Sequence, residues 1–157
     1  MWRRLIGLWP LLFASFVACK SAPNRQAEVA ERGAQVMPFS LEKTTHIFQS
    51  LDDGGFQKVI VKDPADKEQI ALIQRHLREE AGKFSHGDFS DPARIHGREM
   101  PGLAEMEANA SKIDIRYSPL PDGGQIRYTT KDPSLVAVIH RWFAAQRHDH
   151  GPHVHHP

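Results

Sequence analysis

The sequence predicts an α+β fold: duplicated ββα units forming an antiparallel sheet with two helices on one face. Three observations carry this. Asp53-Gly54-Gly55 precedes Lys62-Asp63-Pro64, and Asp122-Gly123-Gly124 precedes Lys131-Asp132-Pro133 at the same nine-residue spacing. After a three-residue gap, the block Glu68 to Leu77 aligns with Ser134 to Phe143. Each Asp-Gly-Gly is flanked by short alternating segments, and each Asp-Pro is followed by helix-period apolar residues. One antiparallel sheet with both helices on the same side buries both apolar helix faces.

The elements follow in order. In the first copy, His46 to Leu51 runs out, Asp53-Gly54-Gly55 turns, and Phe56 to Val61 returns. In the second, Ile113 to Tyr117 runs out, Pro121 to Gly124 turns, and Gln125 to Thr130 returns. Asp-Gly and Gly-Gly supply the positive φ of tight hairpin turns. Asp-Pro is expected to start each helix, with Asp capping free N–H groups and Pro in the first turn. The first helix, from Ala65 to about Phe84, carries Ile70, Ile73, Leu77, Ala81 and Phe84 on one face. The second, from Ser134 to about Arg147, carries Leu135, Val138, Ile139, Trp142 and Phe143. The copies span about 44–84 and 113–147, within a domain at 37–150. The connection 85–112 is irregular, with a short helix expected at Leu103–Ala110.

Ahead of the domain, Arg3 and Arg4 precede an apolar run from Leu5 to Val17, and Val17-Ala18 leads to Cys19, the only cysteine. The run is short for a membrane span and has the charge order of an export signal. It resembles a lipobox in which Phe16 replaces the usual aliphatic residue. Residues 1–18 are therefore expected to be a signal peptide, with Cys19 lipidated and 19–36 a tether carrying a short helix at Gln26–Arg32. This implies a bacterial envelope lipoprotein facing the periplasm and anchored to a membrane at Cys19. Lys20 after Cys19 lacks the Asp-type retention signal, which leans to the outer membrane. Without Arg3 and Arg4 the chain is slightly acidic, so nucleic acid is not an expected partner. With Cys19 modified, no thiol remains for a disulfide or thiolate catalysis.

Histidine is the abundant chemistry-bearing residue, at ten. His76 and Glu80 share a helix face at i,i+4. His96 and Met100 lie in the connection, and His140 and His150 at the second helix. Imidazole suits copper and zinc, and thioether favours reduced copper. His76, Glu80, His96, Met100, His140 and His150 are thus candidate ligands for copper or zinc, copper preferred. The alternative is that they are surface or structural residues, His76 with Glu80 being a helix pair worth about 0.2–0.5 kcal/mol. Residues 151–157 form a His-rich tail, and His148, His153, His155 and His156 are a second candidate metal set. No GxSxG, Walker loop or GxGxxG in a strand-to-helix setting occurs, so an enzyme is not the leading reading.

Met37-Pro-Phe, Thr44-Thr-His-Ile-Phe48, Gly87-Asp-Phe-Ser-Asp-Pro-Ala-Arg-Ile-His-Gly97, Met100-Pro-Gly-Leu103, His140-Arg-Trp-Phe-Ala-Ala-Gln146 and Asp149-His-Gly151 together resemble a small family of exported bacterial proteins of unassigned role. The resemblance covers residues 37–151. Members sometimes bear the label aspartate carbamoyltransferase. That enzyme binds carbamoyl phosphate through a Ser-Thr-Arg-Thr loop, and no such run occurs in this sequence. The resemblance implies export and carries no mechanism. Three functions follow as expectations: metal sensing, storage or delivery; a ligand-free envelope module that binds a protein partner through an apolar open sheet face; or an enzyme of unknown reaction supported by the irregular connection.

Overall fold

The computed structural model describes residues 22–151. It is α+β, with one four-stranded antiparallel sheet flanked by helices. In chain order the elements are α1 (Ala22–Val36), β1 (Thr44–Leu51), β2 (Gly54–Val61), α2 (Lys67–Ser85), α3 (Ser90–His96), α4 (Leu103–Asn109), β3 (Asp114–Leu120), β4 (Gly123–Thr129) and α5 (Pro133–His150). The strand order is β1-β2-β4-β3, so each copy supplies a hairpin and the two return strands pair at the centre. In that central pair Gly54 faces Thr129 and Ile60 faces Gly123. These are the same two repeat positions with the copies exchanged, the register of a pseudo-two-fold.

Strand alternation puts Thr44, His46 and Phe48, Val59 and Val61, Ile126 and Tyr128, and Ile115 on one buried face. Both long helices cover that face. The helix of the first copy, α2, lies mainly on β3 and β4, and α5 of the second copy lies on β1 and β2. Each helix thus packs chiefly on the other copy's hairpin. Trp142 and Phe143 of α5 meet Tyr128 edge-on, and Phe143 also meets Phe48.

Two local expectations change. The hairpin turns are Asp52-Asp53 and Pro121-Asp122, and the glycines already belong to β2 and β4. Of the four hairpin glycines Gly54, Gly55, Gly123 and Gly124, only Gly54 has a positive φ, +136°. A Cβ on Gly123 would strike the Val59 carbonyl oxygen, and one on Gly55 would strike Phe143 and the Gln49 carbonyl oxygen. Close approach of backbone and core, more than turn geometry, demands these glycines. Gly123→Ala is expected to destabilise by about 2 kcal/mol, an overpacking effect, measured by urea denaturation.

The Asp-Pro expectation holds in the second copy, where Asp132 caps α5 through Ser134 N at 2.9 Å and Pro133 follows. In the first copy Asp63 accepts from Ala65 N in a turn, and Asp66 caps α2 through Gln69 N. The cap comes three residues later, which is the gap in the repeat.

The segment expected as a tether is the fifteen-residue helix α1, packed on α3 and α5. Val29 is its one buried apolar anchor. Ala30 and Val36 pack partly buried against the core, and polar contacts add to them: Arg25 and Arg32 donate to the His96 and Ile95 carbonyls at the end of α3, and Gln26 donates to the His148 carbonyl at the end of α5. Helix C-termini leave such carbonyls without intrahelical partners, and cationic donors suit them. The connection between the copies also holds one more helix than expected, α3. The signal segment, Cys19 and tail residues His153, His155 and His156 lie outside the described residues. Among the described residues, no helix is long and apolar enough to cross a membrane.

Candidate functional site

A cavity of about 50 Å³ opens between the buried sheet face, α2, α3 and α5. That is several times the space a single buried water needs, about 10–15 Å³. Its walls are built from the repeat. His76, Glu80 and Phe84 form an i,i+4 stripe on α2, and Trp142, Gln146 and His150 form one on α5. The repeat alignment superposes these stripes residue for residue, so equivalent helix faces meet around the pseudo-two-fold. From the sheet come His46, Phe48 and Gln57, and from α3 Asp91, Ile95 and His96.

Two of the lining side chains are unsatisfied. Trp142 Nε1 and Gln146 Oε1 are buried without a hydrogen-bond partner, on residues 0% and 4% exposed. A buried polar group left without a partner costs about 1–3 kcal/mol. Such groups are rare in native folds and ask for an explanation.

On the α2 side lies a charged relay. Lys83 Nζ donates to Glu80 Oε1 at 2.8 Å and to Asp91 Oδ2 at 2.6 Å. Burial raises the Glu80 carboxyl to about 7, opposed by the Lys83 hydrogen bond and helped by a hydrogen bond to Asp91. Burial also pushes Asp91 up, but hydrogen bonds from Lys83 and Glu80 outweigh it and hold Asp91 below the ordinary carboxylate value. Glu80 is thus the proton holder and Asp91 its acceptor, while the two hydrogen bonds keep Lys83 charged. Burial lowers the His76 pKa, favouring neutral imidazole. The wall therefore holds a carboxyl that exchanges its proton near neutrality beside an imidazole kept neutral by burial.

On the α5 side, Asp149 is 2% exposed and accepts from Arg25 Nε at 2.6 Å, Arg25 Nη2 at 2.5 Å and His96 Nδ1 at 2.9 Å. Burial alone would raise its pKa, but the hydrogen bonds of His96, Arg25 and His148 hold it well below the usual carboxylate range. An ionised carboxylate only accepts, so His96 carries its proton on Nδ1. Asp149 thereby fixes the tautomer and orientation of a cavity-lining imidazole, and Arg25 ties α1 to the same carboxylate.

Of the candidate ligands, His76, Glu80, His96 and His150 come together around the cavity. Met100 is core. His140 is elsewhere: its Nε2 lies 2.9 Å and 3.0 Å from the Leu51 and Gly54 carbonyl oxygens, tying α5 to the first hairpin. His148 is exposed beside Asp149. His46 and His150 stack at 4.7 Å, and His150 meets His96 edge-on at 5.1 Å. Stacked rings turn faces, not in-plane nitrogen lone pairs, towards each other. Among the described residues no group of three or more His, Cys, Asp or Glu is placed to hold a metal ion. His140→Ala is expected to reduce stability by about 1 kcal/mol, the worth of a hydrogen bond, and to leave Cu²⁺ and Zn²⁺ calorimetric titrations unchanged.

Sequence reasoning passed over Arg25, Lys83, Gln146 and Asp149 as site residues and read Trp142 as core. The available signal was the repeat itself, which aligns His76 with Trp142 and Glu80 with Gln146. Comparison with known proteins gives no match to any family model, curated protein or solved structure.

Proposed function

We propose that the domain binds a small polar molecule in the cavity between α2 and α5, with Glu80 and His76 placed to move a proton on it. The observation that carries this is the pair of unpartnered buried groups, Trp142 Nε1 and Gln146 Oε1, beside a carboxyl held near neutrality. Purely structural polar groups at such depth are normally satisfied. The arrangement supports acid–base chemistry better than metal capture, because its polar atoms face a cavity and do not converge as a ligand set. Ligand binding stabilises by mass action. Thermal unfolding of the full chain in detergent, against a panel of small polar compounds, is expected to find compounds that raise Tm in the native protein and not in Gln146→Leu. A panel that leaves the native Tm unmoved would sink the reading.

A second reading, binding of a protein partner, draws on the uncovered sheet face. Ile47, Phe56 and Ile60 are half-exposed there, and Leu51 is the exposed large apolar residue at 37%. Lys58 over the Phe56 ring, Arg116 and Arg127 interrupt this surface. The apolar run ending at Cys19 supports export and a lipid anchor in the envelope. Incorporation of labelled palmitate, abolished by Cys19→Ser, tests that separately. Metal capture is left to His153, His155 and His156 with His148.

A further inference from the structure

We propose that the ligand is a small neutral molecule with a hydrogen-bond acceptor and a donor side by side, as in a primary amide or a urea, held between Trp142 and Gln146. The inference rests on the cavity being a ligand site and names what it takes. An indole N–H only donates, and an amide oxygen only accepts. The two unsatisfied atoms belong to residues one turn apart on α5, so their side chains leave the same helix face. Their complement is a molecule that accepts at one end and donates at the other. A carboxylate would be met only by turning the Gln146 amide so that its NH2 donates, and an ammonium has no acceptor for Trp142.

Charge argues the same way. Asp91 is ionised and Lys83 already serves both Glu80 and Asp91. An anion would meet the Asp91 carboxylate at the cavity wall, whose cation Lys83 is shared with Glu80. A charged ligand would also leave water for a partly buried site, which is unfavourable unless it is paired there. A neutral molecule avoids both. Size sets the upper limit: about 50 Å³ holds a molecule of few heavy atoms. Glu80 and His76 lie on the opposite stripe, where such a ligand would meet them.

The test uses the full chain in detergent with Trp2→Phe and Trp9→Phe, leaving Trp142 as the one indole. The probes are acetamide, acetate and methylammonium, read by the Trp142 Nε1–H resonance in ¹⁵N NMR. Acetamide is expected to shift that resonance saturably, and Gln146→Leu to weaken it about tenfold, the scale of one lost hydrogen bond. Gln146→Met serves as a second isostere, and the amide spectrum shows whether each variant is folded. Acetate or methylammonium binding as well as acetamide overturns the neutral class and leaves the cavity a ligand site. No response to any of the three overturns the cavity reading itself.

Discussion

Asp149→Ala is expected to lower the unfolding free energy by about 4 kcal/mol, the largest single effect in the molecule. The carboxylate lies at the junction of α1, α3 and α5, taking hydrogen bonds from Arg25 and His96. Its loss leaves the His96 Nδ1–H unpaired in a buried site and removes the main polar contact of α1. Arg25 is partly exposed and regains water, which places the effect near the middle of the range for broken buried pairs. The direction of the Asp149 shift adds a pH signature. A carboxylate stabilised in the fold contributes above its ordinary value of 3.8 and loses that contribution as pH falls through its depressed folded value. The variant should therefore lose part of the native protein's acid sensitivity. Guanidinium denaturation at pH 7 and pH 3 measures both. A change under 1 kcal/mol at pH 7 would show that α1 docks by other means.

Glu80 works in the opposite sense. Its carboxyl is raised from 4.5 to about 7, so between these values the folded chain holds a proton that the unfolded chain has released. Stability must fall as pH rises through that window, by about 3 kcal/mol in all. Glu80→Gln keeps the shape and removes the titration. The variant is expected to match the native protein near pH 5 and exceed it at pH 8. His76, with its lowered pKa, contributes a rise in stability towards pH 6.5. That term is common to both proteins and cancels in their difference, while Lys83 stays charged throughout. A difference that does not change between pH 5 and pH 8 would mean that Glu80 ionises normally.

Much of the fold is legible because its determinants are local. Alternation over Ile113 to Tyr117 gives β3, the period of Leu135, Val138, Ile139 and Trp142 gives α5, and the repeated Asp-Gly-Gly places both hairpins. The short helix expected at Gln26–Arg32 lies within α1, but its full length and its docking are not legible, because Arg25, Gln26 and Arg32 bond to the ends of helices distant in sequence. An apolar stripe is the usual signal, and here it shrinks to Val29. The site is half legible. His76 with Glu80 stands out as an i,i+4 polar pair on an otherwise apolar face. Gln146 and Asp149 gain meaning only from what the tertiary fold puts beside them. His140 misleads because an imidazole ties backbone carbonyls as readily as it ligates an ion.

The exchange of helices between hairpins governs the order in which the chain can mature. The first hairpin is finished by Val61, yet the helix that covers most of its apolar side, α5, is the last element among the described residues. Until then, Phe48 has no Phe143 to pack against. Neither hairpin is covered chiefly by its own helix, and the contacts of α5 with β1 and β2 join residues far apart in sequence, a topology that slows folding. An N-terminal fragment stopping before α5 would be unstructured and prone to pair through its bare strands. Such a chain stays pliable while it is synthesised and locks only on delivery of its C-terminal helix.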